Sequence, residues 1–379
     1  TVDELKELRA LTADENGAQR VAWTPTWDKA REWMKSKVAG LPVEYERDQA
    51  GNVWVTLRGK DPSKELLIGG HIDSVPNGGW LDGCLNVMAG IEVLRRIAAE
   101  GTPPITIRVV DWADEEGARF GRSLVGSSAA SGTMNPDEVK VLKDKDGTTY
   151  AEAVAKYGLS VDTFLQAHDQ IKNAKAYLEL HIEQGPVLES LNLPLGVVLG
   201  TVGVERHGIR FNGQAAHSGS TPMNKRKDAL AGVSKLHLEI REIANRHQGV
   251  CTVGKVTTLP GIVTSVVAQA AMTLDQENIT VEWTKLWDIH PIPFHPALIE
   301  MCDQAIMETA GVSHRLPSGP LHDAAEMGRI GIPTIMMFVQ SLYGISHNKI
   351  EDTKEEHLLM CVSALDKLAS KAIAWVAAM

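Results

Sequence analysis

The sequence predicts an α/β fold with a mostly parallel sheet flanked by helices, and a smaller α+β domain inserted into it. Three observations predict this. Short apolar runs that read as buried strands alternate with stretches of helical period. Histidines and carboxylates recur at the ends of those strands. The alternation breaks off near Glu205 and resumes near Pro291. The expected division is therefore 1–204 with 292–379, and 205–291 between them. A chain tolerates such an insertion where its entry and exit points lie close together.

Taken in order, residues 1–39 carry two helical patterns, the second around Trp27 to Val38. Asn52 to Leu57 alternates and reads as a strand. Leu66-Leu67-Ile68 is an apolar run expected to end at Gly69-Gly70 and so deliver His71 and Asp73. A turn-rich loop, Pro76 to Gly79, leads to Asp82-Gly83 and a helix with Val87, Ile91 and Leu94 on one face. Ile105 to Val110 is a further strand, running into Asp111 to Gly117. Helices are expected over much of 121–172, with a polar break at Asp144 to Thr148. In the strand Tyr177 to Glu183, a period of two puts Tyr177, Glu179, His181 and Glu183 on one face. The insertion reads as a strand His207 to Gly213, a helix Arg226 to Ile243 with Leu230, Val233 and Ile240 inward, and two or three strands between Cys251 and Trp287. Thr334 to Val339 is a buried strand, and 356–378 a closing helix.

Composition narrows the classes of function. The 379 residues are 44% hydrophobic, enough for a sizeable core and two domains. A formal net charge of −10, without a basic stripe, argues against a nucleic-acid partner. No apolar run approaches the ~18 residues of a membrane helix, and no charged-then-apolar leader pattern opens the sequence. Cys84, Cys251, Cys302 and Cys361 form no CxxC pair, which fits reduced thiols and a cytoplasmic location.

The chemistry concentrates in His71, Asp82, Glu115, Glu116, His181 and His347. Singly, each has an ordinary explanation. A lone histidine is more often a satisfied polar residue than a ligand, adjacent glutamates are usually solvated, and Asp-Gly is a turn. Jointly they sit at or just after strand ends, where an open α/β sheet binds its ligands. Imidazole and carboxylate suit zinc or another borderline divalent ion such as manganese. Two ions can share five protein ligands if one carboxylate bridges. One of two adjacent glutamates can then stay free as a general base.

The runs GGHIDSVPNGGWLDG, DEEGARFGRSLVGS, LELHIEQGPVLE, AAHSGSTPM, HDAAEM and GISHNKIED span nearly the whole chain. In these runs the sequence resembles the M20 metallopeptidase-type amidohydrolases. Within them it resembles most the branch of N-carbamoyl-L-amino-acid hydrolases, β-ureidopropionases and allantoate amidohydrolases. The resemblance implies a metallopeptidase-like catalytic domain and two divalent metal ions: zinc, or manganese, cobalt or nickel. It implies that His71 and His181 bind one ion, Glu116 and His347 the other, and that Asp82 bridges. Glu115 would be the base, and Asp73 the carboxylate that orients a metal-binding histidine. Gln184, Ser265 and Gly319 match substrate-binding positions. His217 matches a histidine that completes a neighbouring subunit's site and polarises the scissile carbonyl. The inserted domain would then be both lid and homodimer surface, and the substrate a small molecule.

The sequence also departs from that pattern. Related lids carry an arginine for the substrate carboxylate after an Asp-x run, whereas Leu274-Asp275-Gln276-Glu277 has none. Asp275 to Asn278 permits at most a tight hairpin, where a parallel crossover needs a dozen or more residues. Either the lid has changed topology, or a helix bearing that arginine belongs between Gln276 and Glu277. Thr264 to Val267 replaces an Asn-Val-Ile-Pro-like segment, and Tyr343-Gly344 replaces a Gly-Gly pair. The leading expectation is hydrolysis of an N-carbamoyl-L-amino acid or related ureido acid to the amino acid, carbon dioxide and ammonia. The alternatives are an amidase or aminoacylase, a dipeptidase, and a metal-binding relative without turnover.

Overall fold

In the computed structural model, residues 1–270 and 280–379 are described, with backbone alone at 280, 281 and 286–288. The junction Gln276–Glu277 lies outside the described residues. The chain forms two compact units, Thr1–Val202 with Pro291–Met379, and Gly203–His290.

The larger unit is a mixed α/β structure with a parallel centre. Among the described residues, nine strands make one sheet. Its central strands, Thr334–Val339, Ala174–Ile182, Asp61–His71 and Ile105–Trp112, lie side by side and parallel. Val53–Leu57 and then Glu44–Arg47 extend one flank antiparallel. Leu195–Thr201 extends the other, antiparallel to Thr334–Val339 and parallel to Arg315–Ser318. The central strands are buried on both faces, as their unbroken apolar runs require. Helices Cys84–Glu100, Pro296–Ala310 and Glu355–Ala377 pack on the sheet through fully buried Leu94, Ile306 and Leu365.

Four expectations need correction. The strand holding Leu66 does not stop at Gly69-Gly70 but runs on to His71. These glycines serve close packing rather than a turn, since a Cβ at Gly69 would overlap the Tyr177 ring. The stretch 121–172 holds only short pieces, Val125–Ser131, Pro136–Val139 and Tyr150–Ala155, and then a 3-10 segment, Val161–Ile171. The break at Asp144 is a turn in which its carboxylate accepts the Asp146 and Thr148 amides at 3.0 and 2.9 Å. Glu183 lies just past its strand, where its carboxylate accepts the amides of Val187 and Leu188 and caps a helical turn. Leu230 points outward, because the helix begins at Ala229, capped by Asp228, and its buried stripe is Ala229, Val233 and Leu236.

In the smaller unit, strands Thr258–Leu259, Gln269–Ala270, Val204–Asn212 and Thr280–Ile289 form an antiparallel sheet in that order. The helix Ala229–Arg246 covers it over a core of Phe211, Ala229, Val233, Leu236 and Ala270. No helix among the described residues is long and apolar enough to cross a membrane.

Candidate metal centre

The carboxyl ends of the parallel strands carry the site. His71 ends one strand, and His181 is next to last in its neighbour. Glu115 and Glu116 follow the strand Ile105–Trp112, and His347 lies in the segment after Thr334–Val339. Asp82 precedes the helix Cys84–Glu100. Its neighbour Gly83 has φ +66°, and a Cβ there would overlap the His71 ring. Only glycine lets the helix start approach the histidine so closely.

These side chains converge in two sets that share Asp82. His71, Asp82 and His181 offer ligand atoms within 4.8 Å of one another, as do Asp82, Glu116 and His347. The Asp82 Oδ1 is 3.1 Å from His181 Nε2 and 3.7 Å from His71 Nε2. Its Oδ2 is 3.4 Å from His347 Nε2. Glu116 approaches the same His347 nitrogen at 3.4 Å. Glu115 turns the other way, with Oε2 3.5 Å from His71 Nε2. The two neighbours therefore face different ring nitrogens.

Both buried histidines have their outer nitrogen engaged. His71 Nδ1 lies 3.0 Å from the Asp73 carbonyl oxygen and His181 Nδ1 2.8 Å from the Ile182 carbonyl oxygen. A carbonyl only accepts, so Nδ1 carries a proton and Nε2 is the nitrogen that faces the cluster. Asp73 does more than flank a histidine. Its two carboxylate oxygens accept the amides of Glu115 and Glu116, each at 3.2 Å.

Buried carboxylates and imidazoles compete for protons within the cluster. Burial pushes the Glu115 carboxyl well above its usual range, and nearby Asp323, Glu116 and Asp73 add to the shift. Glu116 is raised to about 7 by burial and by Asp82. Burial would lower His71 and His181, but facing carboxylates outweigh it and raise both. Hydrogen bonding to Asp82 raises His347 to about 9. Burial likewise opposes ionisation of Asp82, and the His181 and His347 rings reverse it. Glu116 Oε1 is buried without a protein hydrogen-bond partner. Imidazole Nε2 atoms facing carboxylates, with an unpartnered Glu116 oxygen beside them, fit divalent cations, for whose places protons compete.

The remaining candidates fall differently. Gln184 adopts φ +57° and donates from its amide to Asp82 Oδ2 at 2.8 Å, so it reaches the cluster. Gly319 is exposed in the turn after Arg315–Ser318. His322, three residues on, sets its ring centroid 4.3 Å from that of His181, with the two planes tilted by 55°. His217 and Ser265 belong to the smaller unit and form an isolated bridge with each other. His217 is exposed, and its Nδ1 accepts the Gly219 amide at 3.2 Å.

Sequence reasoning missed three supports. One is the hold of Asp73 on the Glu115–Glu116 turn. Another is Asp114, buried at φ +56° and bonded by the Trp23 indole. The third is Glu351, whose Oε1 accepts the amides of Leu81 and Asp82, each at 3.0 Å. All three stand within runs already singled out, Asp73 in GGHIDSVPNGGWLDG, Asp114 in DEEGARFGRSLVGS and Glu351 in GISHNKIED, but the runs alone do not say which amides these carboxylates meet.

Residues 67–371 match the model for peptidase family M20/M25/M40. An N-carbamoyl-L-amino acid amidohydrolase of Geobacillus stearothermophilus is 34% identical over 373 residues, covering 90% of each chain. An allantoate amidohydrolase of Escherichia coli is 32% identical, over 96% of this chain and 95% of that one. The crystal structure of an amidase of the hydantoinase/carbamoylase family from Burkholderia vietnamiensis matches with a TM-score of 0.86 at 29% identity, covering 98% of this chain and 96% of that one.

Proposed function

Because the chain belongs to peptidase family M20/M25/M40, and is a hydrolytic enzyme of it, we propose that it cleaves the linear C–N bond of an N-carbamoyl-L-amino acid or a related ureido acid. The observation that carries this reading is the pair of ligand sets sharing Asp82. His71 and His181 with Asp82 would hold one divalent ion, and Glu116 and His347 with Asp82 a second. When bound, zinc, or manganese, cobalt or nickel, supplies Lewis acidity toward water and the scissile carbonyl.

The chain's own groups then do the following. Glu115, beside His71 and without a ligand partner of its own, takes a proton from the attacking water and passes it to the leaving nitrogen. Its raised affinity for protons suits that exchange. The water oxygen bonds to the carbamoyl carbon, the bond to the amino-acid nitrogen breaks, and the released carbamate decomposes to carbon dioxide and ammonia. Gln184 and the turn at Gly319 contact the substrate from the larger unit. Ser265 and His217 match substrate-binding positions within the smaller unit, and His217 would polarise the carbonyl in a second copy's site. The smaller unit, Gly203–His290, would thus serve as lid and homodimer surface.

The names of the relatives support the ureido class. One observation weighs against any amino-acid substrate held by its carboxylate: the run Leu274 to Glu277 has no arginine for that group. A substrate panel separates the readings. Enzyme loaded with manganese or zinc is given N-carbamoyl-L-amino acids, allantoate, N-acetyl amino acids and dipeptides. The expected result is ammonia and amino acid in equal amounts from a carbamoyl substrate. Amino acid without ammonia, from acetyl substrates alone, would replace this reading with an aminoacylase. No turnover on any of them would leave a metal-binding protein.

A further inference from the structure

Asp82 is the residue on which both ligand sets depend, yet it belongs to neither a strand nor a helix. Its backbone is held from far along the chain. Glu351 Oε1 accepts both the Leu81 and the Asp82 amide at 3.0 Å, across 270 and 269 residues of sequence. Beside it, the Trp80 indole donates to Asp352 Oδ1 at 3.2 Å. Glu351 itself closes a turn, its amide donating at 2.9 Å to the carbonyl of Asn348, the residue after His347. One buried carboxylate thus links the loop of Asp82 to the turn of His347.

Gly79 is shaped to admit that carboxylate. A Cβ at Gly79 would overlap the Glu351 carboxyl group, although its backbone conformation is one any residue adopts. The glycine is needed for room, not for its torsion angles. The two ligand sets also differ in what else supports them. His71 and His181 lie within neighbouring strands of the sheet. His347 is exposed, in an irregular segment at φ +54°.

We propose that Glu351 is a positioning residue that holds Asp82 and His347 in register, and that it governs the Asp82–Glu116–His347 metal position selectively. The other position keeps its strand-borne histidines without it. This rests on the two-metal reading above, and the test keeps the two apart.

Cobalt(II) is titrated into metal-free protein and followed by its visible absorption, which needs no turnover. Wild type taking up two equivalents supports the two-metal reading; uptake of one equivalent overturns that reading, and this inference with it. Given two, Glu351→Ala should bind one equivalent as wild type does and the second at least about tenfold more weakly, the usual scale for an outer partner of a ligand. Gly79→Ala, which evicts the carboxylate and leaves Glu351 in the chain, should do the same. Glu351→Gln retains an oxygen that can accept both amides, and should stay within about threefold of wild type. Equal weakening of both equivalents, or an unchanged second equivalent in either alanine variant, overturns the proposal. Should Glu351→Ala fail to fold by circular dichroism, Gly79→Ala and Glu351→Gln decide the matter alone.

Discussion

Replacing Asp73 by asparagine tests how the catalytic turn is held. The Asp73 carboxylate is 1% exposed and accepts one amide on each oxygen, Glu115 at 3.2 Å and Glu116 at 3.2 Å. Asparagine keeps one oxygen, so its amide nitrogen must face one of the two N–H donors. Leaving one buried N–H without an acceptor costs about 1–3 kcal/mol. Asp73→Ala orphans both, for roughly 2–6 kcal/mol. The consequence for function is of similar size, because the same turn presents Glu115 toward His71 and Glu116 toward His347. A displacement of about 1 Å in such a group costs on the order of 100-fold in rate. The expected outcome for Asp73→Asn is a loss of about 10- to 100-fold in kcat with little change in KM. Urea unfolding should show a loss near the single-orphan value, and Asp73→Ala a larger one. Wild-type kcat in Asp73→Asn, or a stability loss of the stated size with turnover intact, would show that something other than Asp73 positions the turn.

Further outcomes follow from the same geometry. Glu115→Gln should keep fold and metal content, both measured directly, and lose at least about 100-fold in turnover; activity near wild type would remove Glu115 as the base. If His217 serves a partner's site, mixing inactive Glu115→Gln chains with inactive His217→Ala chains should restore activity in heterodimers. No recovery, with subunit exchange verified by mass, would count against a shared site.

The alternation of strands and helices and the parallel centre were legible in the sequence, because burial imposes a period on each element separately. The candidate residues were legible for a related reason. His71, Asp82, Glu115, Glu116, His181 and His347 stand at or near element ends, and ends of parallel strands share one edge. The run around Gly69 misled because a glycine reads as a breaker, while the crowding by the Tyr177 ring that requires it comes from the neighbouring strand. Leu230 misled because the face of a helix depends on where Asp228 caps it. Above all, periodicity is a property of neighbours in the chain. That Asp73 meets the amides of residues 42 and 43 positions away, and Glu351 those of Leu81 and Asp82, depends on strand order and register. Those are fixed only when the sheet assembles. The sequence determined which side chains could serve a metal centre; tertiary packing decided which backbone amides hold them still.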